Sequence, residues 1–120
     1  MFDSKAYWEN RYATGGNSGC GSYNKLAEFK AGVINEFIRD NNITSIIDYG
    51  VGDGNQLKLI DTRDLQYTGI DVSSTVIEKC IDVFKGDPTK KFSLDDSTSN
   101  LTADLTMSCD VLYHLIENEI

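Results

Sequence analysis

Ile46-Ile47-Asp48-Tyr49-Gly50-Val51-Gly52-Asp53-Gly54-Asn55 is the stretch that decides the fold. A short apolar run closes on a carboxylate and passes into three alternating glycines. This reads as a buried strand entering a tight turn, with a helix opening behind it. Glycine accepts positive φ, or lets the main chain approach a ligand, because no Cβ stands in the way. A helix start behind the turn offers unpaired N–H groups to something polar or anionic. Together these features describe a corner that binds a nucleotide or a cofactor.

Outward from this corner, the chain alternates between strand and helix periods. Downstream, Asn55 to Ile60 reads as a short helix and Gln66 to Ile70 as a second strand ending at Asp71. Thr75 to Lys85 follows as a helix with Val76, Ile77, Cys80, Ile81 and Phe84 on its buried side, and Thr75 and Glu78 have capping-box spacing. Lys91 to Leu94 is a brief third strand, Asp104 to Ser108 a fourth, and Val111 to Ile116 begins another helix. Upstream, Leu26, Phe29, Val33, Ile34, Phe37 and Ile38 form one apolar stripe on a helix from Lys25 to Arg39. Before it stand an aromatic helix, Asp3 to Ala13, and a glycine-dense loop, Thr14 to Ser22, readable as a linker or as a lid. Strands alternating with helices predict an α/β fold, a Rossmann-like parallel sheet with helices on both faces.

The 120 residues suit one domain, 1–120, with 1–22 as N-terminal helix and lid and 23–120 as the core. A net charge of −8 argues against nucleic acid or an anionic membrane as the main partner. The three cysteines form no CxxC pair and there is a single histidine, so no metal site is expected. No signal-peptide pattern and no run of about 18 apolar residues is present, which places the chain in the cytoplasm.

A second feature sharpens the glycine corner. Asp71 ends the next apolar strand about twenty residues past the central glycine, where a carboxylate in a doubly wound sheet accepts from both hydroxyls of a ribose. Its structural alternative is a helix cap. The dinucleotide fingerprint G-x-G-x-x-G would need glycine at position 55, which is Asn55. A nicotinamide-dependent oxidoreductase is therefore disfavoured.

The spacing G-x-G-x-G behind Asp48 resembles motif I of the class I S-adenosylmethionine-dependent methyltransferases, which Gly50-Val51-Gly52-Asp53-Gly54 matches letter by letter. Gly69-Ile70-Asp71-Val72-Ser73 is similar to that family's ribose-binding strand end, and Asp104 to Leu115 to its segment around the fourth strand. Tyr7-Trp8-Glu9-Asn10-Arg11-Tyr12 resembles the opening of some bacterial members. The resemblance implies S-adenosylmethionine as cofactor and S-adenosylhomocysteine as product. Gly50, Val51, Gly52 and Gly54 would pass beneath the methionine part and ribose, with Asp48 fixing the turn and the amino group. Asp71 would hold the ribose hydroxyls, Val72 would pack on adenine, and Asp95 (or Asp96) would accept from the adenine amino group. Main-chain carbonyls near Ser108 and Cys109 would meet the methionine amino group. Arg11, with Tyr12 beside it, is a candidate for the carboxylate, since a guanidinium binds one bidentately; the alternative for Arg11 is a solvated surface charge.

The implied reaction is direct attack on the sulfonium methyl group, for which alignment of the nucleophile matters most. His114 is the only histidine, and Asp110 lies one helical turn before it. His114 is the candidate base or substrate contact, oriented by Asp110; the alternative is a histidine packed beneath the sheet edge. The expected function is methyl transfer to a small-molecule acceptor. The competing reading is a minimal or truncated module that binds S-adenosylmethionine or S-adenosylhomocysteine without transfer. The chain ends at Ile120, whereas the family continues for three more strands, so a C-terminally shortened protein is expected. Its fourth strand would lie at an edge and promote self-association.

Overall fold

The computed structural model describes residues 4–16, 24–94 and 102–108. Helix α1 (Ser4–Ala13) and helix α2 (Asn24–Asp40) precede strand β1 (Ser45–Tyr49). A 3-10 turn (Leu57–Leu59) leads to β2 (Gln66–Asp71), helix α3 (Ser74–Val83), β3 (Lys90–Leu94) and β4 (Leu105–Met107). All strand pairs are parallel and lie in the order β3-β2-β1-β4. The chain thus steps outward from β1 to β2 and β3, then returns to β1's other side. The reversal places a crevice at the carboxyl end of β1, where open α/β sheets bind their ligands.

Register puts Ile46, Tyr67 and Leu105 side by side, with Asp48, Gly69, Phe92 and Met107 two residues further along. Ile46 and Tyr67 are each 1% exposed and join Val51, Leu57, Ile60, Leu65, Val76, Ile77 and Cys80 in one core. Truncating a side chain of this size in such a core costs about 2–5 kcal/mol. Gly69 makes room for an aromatic ring: a Cβ there would stand 2.9 Å from Phe92 Cδ1. The Phe92 ring instead stacks on Phe84 at 5.6 Å between centroids and joins β3 to the end of α3. At the opposite edge, Thr44 donates through its N–H and its hydroxyl to Asp104, at 2.9 and 2.7 Å, fixing the start of β4 beside β1.

Three local expectations are corrected. The segment behind the glycine turn is no α-helix but a single 3-10 turn. Leu59 N donates to Gln56 O and Ile60 N to Leu57 O, and Ile60 already has extended φ and ψ. The cap of α3 is Ser73 rather than a Thr75–Glu78 box: Ser73 Oγ accepts from Val76 N at 3.3 Å. Within α3, Val76, Ile77 and Cys80 are buried, but Ile81 is 52% exposed because it falls on the flank of the helix.

Helix α2 also presents its bulk differently from the simple stripe. Ala27 and Ala31 are buried with Ile34 and Ile38 partly so, while Leu26, Phe29, Val33 and Phe37 are exposed, Phe29 at 70%. The small alanines let the helix approach the 3-10 turn closely. Three polar bonds fix its rotation: Gln56 Nε2 to Ala27 O (2.9 Å), Asn35 Nδ2 to Leu59 O (3.2 Å) and Asp61 N to Asn35 Oδ1 (2.7 Å).

Candidate functional site

The three glycines of the turn have φ of +89° at Gly50, +63° at Gly52 and +84° at Gly54, a region costly for any residue with a Cβ. Gly50 N and Val51 N both donate to Ile70 O, at 2.7 and 3.1 Å, so the turn is stapled to the end of β2. Val51 is buried in the core and anchors the turn from below. Gly52 N donates to Asp71 Oδ2 at 3.0 Å, and Ser73 N donates to Asp71 Oδ1 at 3.1 Å. One carboxylate therefore ties both turns of the crevice together. Each of its oxygens keeps a further lone pair for a ligand donor. Val72, beside it, is half-buried.

Asp48, 6% exposed, lies at the foot of the turn, where Tyr67 Oη donates to its Oδ2 at 2.6 Å. Burial pushes its carboxyl up to about 6, with the nearby Asp71 charge adding to the rise and the Tyr67 bond and Lys30 opposing it. Asp71 is likewise raised by burial, against the N–H groups it accepts. Asp53, 4% exposed, accepts from Asn55 N at 3.1 Å. Beneath the turn, Cys80 Sγ donates to Gly52 O at 3.3 Å. Desolvation first, then the charges of Asp71, Asp53 and Asp48, push this thiol up to about 12.

Helix α1 packs on α3 beside the end of β2. Tyr12 is half-buried against the core and stacks on Trp8 at 5.7 Å, and the Arg11 guanidinium lies 5.2 Å over the Trp8 ring. The structure therefore brings together Asp48, Gly50, Val51, Gly52, Gly54, Asp71 and Val72, with Arg11 and Tyr12 on the neighbouring helix. Asp95, Cys109, Asp110 and His114 lie outside the described residues. Sequence reasoning missed Tyr67, Ser73, Cys80 and Glu9. Tyr67 and Cys80 looked like ordinary core positions, and only the register and helix phase reveal what they touch. Among the described residues, no group of three or more His, Cys, Asp or Glu side chains is arranged to hold a metal ion. No helix among them is long and apolar enough to cross a membrane.

A parallel sheet in this order, with a glycine turn after β1 and an acid closing β2, is Rossmann-like, and likeness to solved structures shows it to be the class I fold of the S-adenosylmethionine-dependent methyltransferases. Solved structures agree. The methyltransferase domain of bacterial CtHen1-C superposes with a TM-score of 0.66 at 27% identity, over 78% of this chain and 55% of that one. Magnesium protoporphyrin IX methyltransferase from Synechocystis PCC 6803, with bound S-adenosylhomocysteine, gives a TM-score of 0.63 at 19% identity, over 94% and 61%. The S-adenosylhomocysteine-bound Podospora anserina methyltransferase PaMTH1 gives 0.59 at 13%, over 91% and 50%. The chain thus spans a little over half the length of the first of these. No protein-family model matches the chain, and no curated protein does.

Proposed function

We propose that the chain binds S-adenosylmethionine at the glycine turn and transfers its methyl group to a small-molecule acceptor. The observation that carries this reading is the Gly52–Asp71 contact: a bare backbone turn and a buried carboxylate share one crevice at the sheet's switch point. Bound there, the cofactor would supply an electrophilic methyl on a sulfonium, with the leaving group built in. The chain's own residues supply position and field. The turn from Gly50 to Gly54 offers main chain at close range, and Asp71 offers acceptors to a ribose diol. Asp48 and Asp53 add negative charge facing a cationic ligand. Arg11 and Tyr12 bring a guanidinium and a ring toward the methionine end, and Val72 gives adenine an apolar wall. In this reading Asp95 receives the adenine amino group, and Cys109 contributes a main-chain carbonyl. His114, oriented by Asp110, takes the acceptor's proton. The net charge of −8 favours a small acceptor over nucleic acid.

The second reading is a module that binds S-adenosylmethionine or S-adenosylhomocysteine without transfer. One experiment separates the two. S-adenosylhomocysteine is titrated calorimetrically, then methyl-labelled S-adenosylmethionine is incubated with a metabolite extract and, in parallel, with total RNA. Binding with label in small molecules is the expected result, and His114→Ala then loses transfer while keeping affinity. Binding with no labelled product supports the module, label in RNA overturns the small-molecule acceptor, and no binding at millimolar ligand ends both readings.

We further propose self-association through β4. Among the described residues β4 pairs only with β1, and its other edge has no partner strand. The exposed Leu26, Phe29, Val33 and Phe37 of α2 add apolar surface that a monomer leaves in water. Sedimentation velocity should show dimer growing over the micromolar range; a monomer throughout would refute it.

A further inference from the structure

Helix α1 has no fully buried residue: every described side chain from Lys5 to Ala13 is exposed or half-buried. Tyr12 packs against the core, and the Glu9 carboxylate bridges α1 to the first turn of α3. Glu9 Oε1 accepts from Thr75 N at 3.3 Å and, closely, from the Thr75 hydroxyl, while Glu9 Oε2 accepts from Ser74 Oγ at 3.4 Å. The first turn of α3 is where main-chain N–H groups lack intrahelical partners and where negative charge is favoured. Ser73, the N-cap just before the helix, satisfies Val76 N, and Glu9 satisfies Thr75 N from 66 residues away. Such charge-assisted bonds are roughly twice as strong as neutral ones. The Thr75 bond holds the Glu9 carboxyl below its ordinary range, so the group is ionised at neutral pH. The contact also lies next to the ligand crevice: Glu9's charge is felt by Asp71, three residues before Ser74.

We propose that Glu9 is a positioning residue, a latch that docks α1 on the first turn of α3 so that Arg11 and Tyr12 face the cofactor crevice. The role at the crevice rests on the S-adenosylmethionine reading above; the docking itself does not. Release of the latch loosens the helix from α3 around Glu9, which sits near its middle, with Arg11 and Tyr12 within one turn. Affinity is then lost through faster dissociation, since the polypeptide over the ligand no longer holds it, while the crevice formed by the glycine turn and Asp71 stays intact.

The test uses Glu9→Ala and, from the other partner, Thr75→Val. Hydrogen exchange of the ligand-free chain should accelerate at least tenfold across 4–13 in both variants, with β1 and β2 unchanged. The emission of Trp8, the only tryptophan, should shift with it. The double variant should exchange no faster than Glu9→Ala, because that substitution already removes the hydroxyl bond that Thr75→Val removes. S-adenosylhomocysteine should dissociate about tenfold faster from either variant. Unchanged exchange across α1 overturns the latch whether or not the ligand binds. Faster exchange with unchanged ligand dissociation overturns the crevice role and keeps the docking. Failure of the wild-type chain to bind S-adenosylhomocysteine sinks the cofactor reading, while the exchange result still decides the docking.

Discussion

Asp71→Asn is expected to lower S-adenosylhomocysteine affinity at least about 100-fold, or roughly 2.7 kcal/mol. The carboxylate would accept both hydroxyls of a ribose, and each hydrogen bond to a charged group contributes about 1.5–3 kcal/mol. Asparagine leaves one oxygen and puts an NH2 where the second acceptor was. It also turns a donor toward one of the two N–H groups, of Gly52 or Ser73, that Asp71 now satisfies. A buried N–H left without an acceptor costs about 1–3 kcal/mol, so the variant should lose stability by that amount as well. Calorimetry with S-adenosylhomocysteine, paired with urea denaturation of the free chain, reads both effects. Unchanged affinity would remove Asp71 from the site and, with it, the reading of the crevice as a ribose pocket.

Asp48→Asn should act in the opposite direction on stability. The folded chain holds this carboxyl near 6, above its ordinary value of 3.8, chiefly because ionisation in the core forgoes solvation. Between those two values the folded state binds more protons than the unfolded one. Asp48's contribution to stability is therefore full below about pH 4, falls as pH rises through that window, and stays low above it. Asparagine cannot ionise, and its Oδ1 can still accept from Tyr67 Oη. The variant should exceed the wild type by about 3 kcal/mol at pH 8, following the two-unit displacement, and match it near pH 4. Subtracting the two stability curves isolates this residue from surface acids such as Asp61, Asp87 and Asp104, whose carboxyls are lowered by their hydrogen bonds. An offset that does not vary with pH would refute the assignment. If Asp48 also meets the cofactor's amino group, the stabilised variant binds more weakly, as groups kept for function often cost stability.

Much of the fold was legible because its signals are local. The apolar run into Asp48, the glycine spacing and the run into Asp71 locate β1, the turn and β2 within a residue or two. The offset of Asp71 from the glycines was legible, but the bond from Gly52 N to its carboxylate was seen only in the structure. What escaped depends on long-range competition. Periodicity found an apolar stripe on α2 but not its orientation, which is decided by two alanines and by the amides of Asn35 and Gln56 reaching the 3-10 turn. Capping-box spacing favoured Thr75, yet its hydroxyl and N–H are taken by Glu9, and Ser73 caps instead. No window of neighbouring residues contains that information. The helix expected after the glycines shrank to one turn because the extended backbone at Ile60 and the polar Asp61-Thr62-Arg63-Asp64 break follow so soon.

The thiol beneath the turn carries a consequence for handling the protein. Because Cys80 gives its hydrogen to the Gly52 carbonyl and resists ionisation at physiological pH, alkylating reagents meet an unreactive sulfur for as long as the loop above it stays seated. Its modification rate is therefore a clock for how often that loop lifts, readable by mass spectrometry on the native chain without a dye or an introduced label.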